Sequence, residues 1–309
     1  MSASSERSGP SHRARLPRLR WSKVLAVVLL VLSVPVMGVV VGWYGMNPRA
    51  NEAYAPVGSD AHLLLNNFPD SRLVVELDAA PGYAPPASAV STLLDRINET
   101  TSKSSVSVVS YTISTTSSSW TTSDLLALQA SVRQSWPSWG TMTVCYLFVP
   151  GTFQEGSSAI GVAYRGSSIA VFPDVITANI PSYDPQLFPE MMTTVLVHEF
   201  GHELGLVGLV GSAPNEDPAH PGHSTDTNDV MYWQVESTSY LPGILSGPPP
   251  PTQFDSADLQ DLQTVRSTVI PLEVLPYLWL LLVALVVVLV AAWGRWPRRK
   301  GRAAVSSPA

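Results

Sequence analysis

The sequence predicts an α+β domain with a mixed, twisted sheet, an antiparallel edge strand, one long helix and a C-terminal helix, the whole flanked by two membrane-spanning helices. Three observations point there. Strand-like and helix-like stretches alternate from residue 71 to 151, two short strand-like runs then meet at Gly166, and two uncharged apolar runs bracket everything between them.

The apolar runs set the organisation of the 309 residues. Residues 1–23 form a basic, Ser- and Pro-rich tail holding Arg7, Arg13, Arg15, Arg18, Arg20 and Lys23. Val24 to Met46 follows without a charge and is long enough to span a bilayer. It exceeds the short core of a secretion signal, and no small-x-small cleavage site stands close behind it, so it reads as an uncleaved anchor. Residues 274–294 make the second span, and residues 295–309 end the chain with Arg295, Arg298, Arg299, Lys300 and Arg302. Positive charge outside both spans places both termini in the cytoplasm and residues 47–273 outside it. The expected protein is therefore a two-pass protein of the cell membrane, in contact with the lipid bilayer.

Residues 47–273 carry 23 Asp and Glu against 7 Lys and Arg, a formal charge of −16 that the overall −6 conceals. Such a surface repels phosphates and argues against nucleic acid as a partner. It equally suits general solubility or adaptation to salt. A single cysteine, Cys145, excludes an intramolecular disulfide and a cysteine-based zinc site. Asn98-Glu99-Thr100 fits the glycosylation acceptor pattern, which matters only in a glycosylating compartment.

Within this region "SRLVVELDAA" reads as a strand, and "PASAVSTLLDRINET" has helical spacing at Val90, Leu93, Leu94 and Ile97. "SVSVVSYTI" alternates as a second strand, a helix opens with Ser123 or Asp124 as its cap, and "MTVCYLFVPG" is a third strand. "AIGVAYR" and "SSIAVFP" form a hairpin about Gly166. "PQLFPEMMTTVLVHEFGHELGLV" is the longest helical stretch of the region, and "SADLQDLQTVRS" is the last helix, beyond the breaking segment "SGPPPPTQ".

The long helix carries His198-Glu199-Phe200-Gly201-His202. Residues four apart share a helix face, so both imidazoles can reach one metal ion, with Glu199 beside them. Two satisfied histidines and a surface glutamate on a buried helix are the plainer alternative. A catalytic zinc needs a third protein ligand, and the remaining histidines are His12, His62, His220 and His223. Downstream, Asp229-Val230-Met231-Tyr232 stands in "EDPAHPGHSTDTNDVMYW".

These residues together resemble the metzincin clan of zinc proteases. That clan keeps a glycine at the place of Gly205 and a third histidine three residues later, where this chain has Gly208. The turn around Met231 resembles the clan's Met-turn. In archaemetzincins the pattern is a histidine, a cysteine, four residues, a cysteine, one residue and the methionine. Here His223, Ser224, four residues, Asp229, Val230 and Met231 keep that register without the cysteines, so the second zinc held by those cysteines is not expected. The resemblance implies that the connection to the third ligand is longer by 15 residues, with Gly208 opening the insert; His220 is the rival.

It further implies zinc held by His198, His202 and His223, with Glu199 as general base and acid on a metal-bound water. Met231 would lie beneath the metal, Tyr232 would assist at the carbonyl or pack, and "SSIAVF" would be the edge strand that pairs with an extended peptide. The expected protein is thus a membrane-anchored, extracytoplasmic zinc endopeptidase acting on proteins or peptides. Two alternatives stand beside it: a gluzincin-type peptidase with Glu216 or Glu236 as third ligand, and an inactive, membrane-tethered binding module of the same fold. Oligomeric state is not legible.

Overall fold

The computed structural model describes residues 55–210, 213–240, 248–268 and 280–285, with Ser33 and Gly38. The chain divides into two compact units, Trp43–Leu275 and a second made of Met1–Gly42 with Pro276–Ala309. Of the second, only Ser33, Gly38 and 280–285 are described, all helical. Among the described residues no helix is long and apolar enough to cross a membrane. The two expected spans, 24–46 and 274–294, fall almost wholly outside the described residues, as do both basic tails.

The larger unit is a mixed α/β fold. Its sheet has the strand order β2-β1-β4-β7-β6, formed by β1 (Arg72–Ala79), β2 (Ser105–Thr112), β4 (Thr141–Phe148), β6 (Gly161–Arg165) and β7 (Ser168–Val171). The first four in that order run parallel, and β6 closes the sheet as an antiparallel edge against β7. The antiparallel edge is as the hairpin predicts, but the sheet is mostly parallel, so the architecture is α/β rather than α+β. Parallel neighbours need a crossover, and helices α2 (Ala87–Thr100) and α3 (Thr122–Val132) supply it. Strand β4 shows the cost of a central place: covered on both faces, it is buried from Met142 to Phe148 and reads as a continuous apolar run. Cys145 lies in it, buried.

Two local expectations are corrected. Helix α3 is capped by Thr121, not by Ser123 or Asp124; Thr121 Oγ1 accepts the Asp124 N–H at 3.2 Å while Asp124 Oδ2 accepts the Thr121 N–H at 2.9 Å, a reciprocal capping box. The run "SSIAVF" is the inner strand β7, paired on both sides, and the edge strand is β6, "GVAYR". The small elements α1 (Ala61–Leu65), β3 (Ser119–Trp120), β5 (Thr152–Phe153) and α4 (Pro173–Asn179) had no sequence expectation.

The long helix α5 runs from Leu187 to Glu203, apolar and buried nearly all round, against α2 and the sheet. The Tyr146 hydroxyl donates to Leu196 O at 3.1 Å and so pins α5 to β4. Apolar spacing continues to Val207, yet the helix stops earlier because Gly205 turns the chain at φ +73°, where a Cβ would meet Val210 Cγ2 at 2.6 Å. The last helix, α6, spans Ser256–Thr268.

Candidate metal centre

His198, Glu199 and His202 stand on the last turns of α5, and His198 and His202 meet Nε2 to Nε2 at 3.0 Å. His198 Nδ1 lies 2.7 Å from Val230 O. A carbonyl only accepts, so the ring proton sits on Nδ1 and the lone pair on Nε2 points into the cluster. The next residue, Met231, packs under the helix at Gly201, where a Cβ would lie 2.3 Å from Met231 Sδ. Only glycine at 201 lets the methionine turn approach this closely. Met231 is fully buried.

His223 arrives from the loop after α5. Its ring centroid is 5.4 Å from that of His198 and 4.8 Å from that of His202. Backbone bonds hold the loop there: the His223 N–H donates to His220 O at 3.1 Å, and His223 O accepts the Asp217 N–H at 2.7 Å. Both ring nitrogens of His223 are buried with no hydrogen-bond partner. His220 goes elsewhere, stacked on Trp233 at 4.1 Å and 7°, with Nδ1 2.7 Å from Asp217 Oδ2. His62 bonds Asn66, and His12 lies outside the described residues.

Glu236 is the fourth member of the cluster. It figured only as a substitute for the third histidine, whereas its carboxylate stands beside all three: Oε2 is 3.7 Å from His198 Nε2 and 3.9 Å from His202 Nε2, and Oε1 is 3.5 Å from His223 Nε2. It ends a single 3-10 turn, Trp233–Glu236. Its carbonyl accepts the Ile160 N–H at 2.7 Å, and the Thr238 N–H donates to Ser158 O at 3.1 Å, which fastens the turn to the approach of β6. No helical periodicity surrounds Glu236; its closeness in sequence to Met231 is the one signal that could have singled it out. Glu216 packs instead against Gly208, where a Cβ would meet its Oε2 at 2.5 Å.

The residues present fit zinc. One donor atom from each of His198, His202, His223 and Glu236 lies within 4.8 Å of the others. The separations of 3.0 to 3.9 Å bracket the ~3.4 Å expected between tetrahedral ligands at about 2.0–2.1 Å from zinc. Burial, then the neighbouring His198 and His223, hold His202 well below the ordinary imidazole range, so it stays neutral.

Glu199 is fully buried, and its carboxyl faces the backbone N–H of Ala163 on β6. Strand β6 touches it: a Cβ at Gly161 would lie 2.5 Å from Glu199 Oε1. Burial, then the charge of Glu236, push Glu199 well above the ordinary carboxylate range. Burial pushes Glu236 up too, but the three neighbouring imidazoles of His198, His223 and His202 outweigh it and hold Glu236 low. The two carboxyls are thus shifted in opposite directions, Glu199 up and Glu236 down. A cation among the imidazoles inverts that balance and favours both carboxylates. Tyr232 is half-buried beside Trp233, centroids 5.9 Å apart, and belongs to no donor cluster among the described residues.

No protein-family model and no curated protein matches the chain. Among solved structures it is similar to archaemetzincin from Methanopyrus kandleri, at 18% identity and a TM-score of 0.44, over 63% of this chain and 96% of that one. It is also similar to archaemetzincin from Archaeoglobus fulgidus, in complex with malonate, at 14% identity and a TM-score of 0.36, over 63% of this chain and 99% of that one. Likeness at these TM-scores says nothing about the role of any residue.

Proposed function

We propose that the chain is a zinc-dependent endopeptidase, anchored in the membrane by residues 24–46 and 274–294 with its domain outside. His198, His202 and His223 are the metal ligands, and Glu199 is the general base and acid. The observation that supports it best is the convergence of three imidazoles, those of His198 and His202 buried and that of His223 nearly so, beside the buried carboxyl of Glu199. Bound zinc lowers the pKa of water toward neutrality and polarises a peptide carbonyl.

The protein supplies the rest. Val230 O fixes the tautomer and ring orientation of His198. Glu199 takes a proton during attack and returns it to the leaving amine, and its dry setting keeps that proton from bulk water. Strand β6 ends the sheet beside Glu199, so an extended substrate can add to it by backbone pairing, with little regard for side chains. Glu236 is the most exposed of the four donors, at 32% of its side chain, and withdraws to admit the substrate. A permanent fourth ligand would instead make a closed, structural metal site. Glu236 is the observation that favours this second reading.

One experiment separates the two: count zinc and follow hydrolysis of an unstructured protein by the full-length parent, Glu199→Gln and Glu236→Ala. Glu199→Gln is expected to keep zinc and to lose about a hundredfold to ten-thousandfold in rate, while Glu236→Ala cleaves at least as fast as the parent. Cleavage by Glu199→Gln at the parental rate refutes its role. Zinc-loaded parent and Glu236→Ala that both fail to cleave establish the closed site.

A further inference from the structure

The end of the domain where the parallel strands begin shows two large aromatics to solvent: Phe68 is 60% exposed and Trp139 57%. Arg72 opens β1 level with Ser105 of β2 and Thr141 of β4, and its N–H donates to Gly140 O at 3.2 Å. Trp139 therefore stands beside the start of β1, and Phe68 precedes that start by four residues. Exposed aromatics gathered at one place, unlike single ones, mark a contact with protein or with lipid.

The chain leaves the domain at the same end. Helix α6 packs on α1 and ends at Thr268, and Arg266 donates to Thr100 O at the end of α2. The Ser102 N–H donates to Leu65 O and the Ser104 N–H to Ser71 O, both at 2.8 Å, so α1, α2 and the starts of β1 and β2 are tied together there. Five residues separate Thr268 from residue 274, where the second apolar run begins. At about 3.3–3.6 Å per residue, the end of α6 is within roughly 20 Å of that run. Ala55 O accepts the Gly166 N–H at 3.3 Å, at the turn that opens β7, and eight residues separate Ala55 from Met46. Both connections thus lead from the half of the sheet where β1 and β4 start.

We propose that this end of the domain seats on a lipid surface, with Phe68 and Trp139 at the boundary between headgroups and acyl chains, a placement that rests on the membrane anchoring by residues 24–46 and 274–294. Aromatic side chains, tryptophan above all, favour that boundary, where an apolar ring and its polar edge are both satisfied. Charge agrees. Residues 47–273 carry −16 overall, which anionic headgroups repel. At this end, however, Glu99 is paired with Arg96, and Asp70 is buried beside Lys103, whose amine donates to its carbonyl. Arg72 is exposed at the same end and is placed to meet a lipid phosphate.

Seated this way, the candidate metal centre faces away from lipid. Gly161, beside Glu199, pairs with Val171, and Val171 with Phe148, the last residue of β4. At about 3.3 Å per residue that level is roughly 20 Å along the sheet from Thr141. An extended segment of substrate reaches β6 there without entering the bilayer.

The test places a nitroxide on the full chain at one position at a time, through Phe68→Cys, Trp139→Cys or Tyr183→Cys. Cys145 is buried and does not take the label. Tyr183, 80% exposed ahead of α5 and beyond the other end of the sheet, is the control. The labelled chains are reconstituted in phosphatidylcholine vesicles, and electron paramagnetic resonance compares collision with lipid-soluble oxygen and with a water-soluble nickel chelate. The expected result is an oxygen-to-nickel ratio severalfold higher at 68 and 139 than at 183. Both positions are exposed, so either carries the test alone if the other variant does not fold. An alkaline carbonate wash of the same vesicles reads the anchoring separately. A chain that stays with the vesicles while 68 and 139 match 183 overturns the seating and leaves the anchoring standing. Labels at 68 and 139 shielded from both reagents overturn it too, in favour of a second copy of the chain on this face. Release of the chain by the wash refutes the anchoring, and the seating with it.

Discussion

A methyl group at Gly161 would lie 2.5 Å from Glu199 Oε1 and 2.7 Å from Val195 Cγ1, so the edge strand can run this close to the buried carboxyl only without a side chain. Gly161→Ala is expected to lower stability by about 1–3 kcal/mol through overpacking and to slow hydrolysis by displacing Glu199, with zinc content unchanged. Thermal unfolding and a rate measurement check it; a parental midpoint and rate would show that the strand gives way freely. Other residues of the centre differ in how legible they were. His198, Glu199 and His202 were readable because helix geometry alone puts them on one face, and His223 because of its distance from Met231 and its resemblance to a known register. Gly161 was not readable, and Glu236 was named only as an alternative third ligand. One matters for the atoms it lacks, the other reaches the centre through an irregular turn, and neither property leaves a periodic trace.

At the scale of elements, strands and helices with clear periodicity fall where the sequence puts them. Errors arise where tertiary context decides. Thr121 rather than Ser123 caps α3 because the reciprocal bond with Asp124 fixes the start two residues earlier. Edge and inner strands of the hairpin exchange places because both are short and apolar, and only pairing with β4 distinguishes them. Helix α6 was readable only as the last helix, yet Asp258 and Asp261 are buried on it.

That burial has a pH signature. Asp258, facing Asp229 and Asp255, is raised from 3.8 to about 9 in the folded chain. The unfolded chain releases this proton near pH 4 while the folded chain retains it, so the group's contribution is present in full below pH 4 and is lost as pH rises toward 9. Denaturant melts should therefore show stability falling over that window, and Asp258→Asn should flatten the fall. An equal slope in the variant would mean that Asp258 ionises normally.

On the scale of the whole molecule, the −16 charge of residues 47–273 and the basic ends of the chain divide the sequence sharply. Positive-inside bias predicts where each part lies. A reporter active only in the cytoplasm should be silent when fused after Met46 and active when fused after Ala309. Activity after Met46 would put the domain on the cytoplasmic side and remove the two-pass arrangement.

The same unit draws three histidines from a helix and a distant loop into one cluster, and whether they hold a metal is the claim on which the functional reading depends. The most direct measurement is zinc per folded full chain after dialysis against a mild chelator, for the parent, His223→Ala and His220→Ala. One zinc in the parent and in His220→Ala, with marked loss in His223→Ala, is the expected result, because His220 is occupied by Trp233 and Asp217. Zinc stripped from His220→Ala but retained by His223→Ala, or no zinc bound by the parent at all, would contradict it.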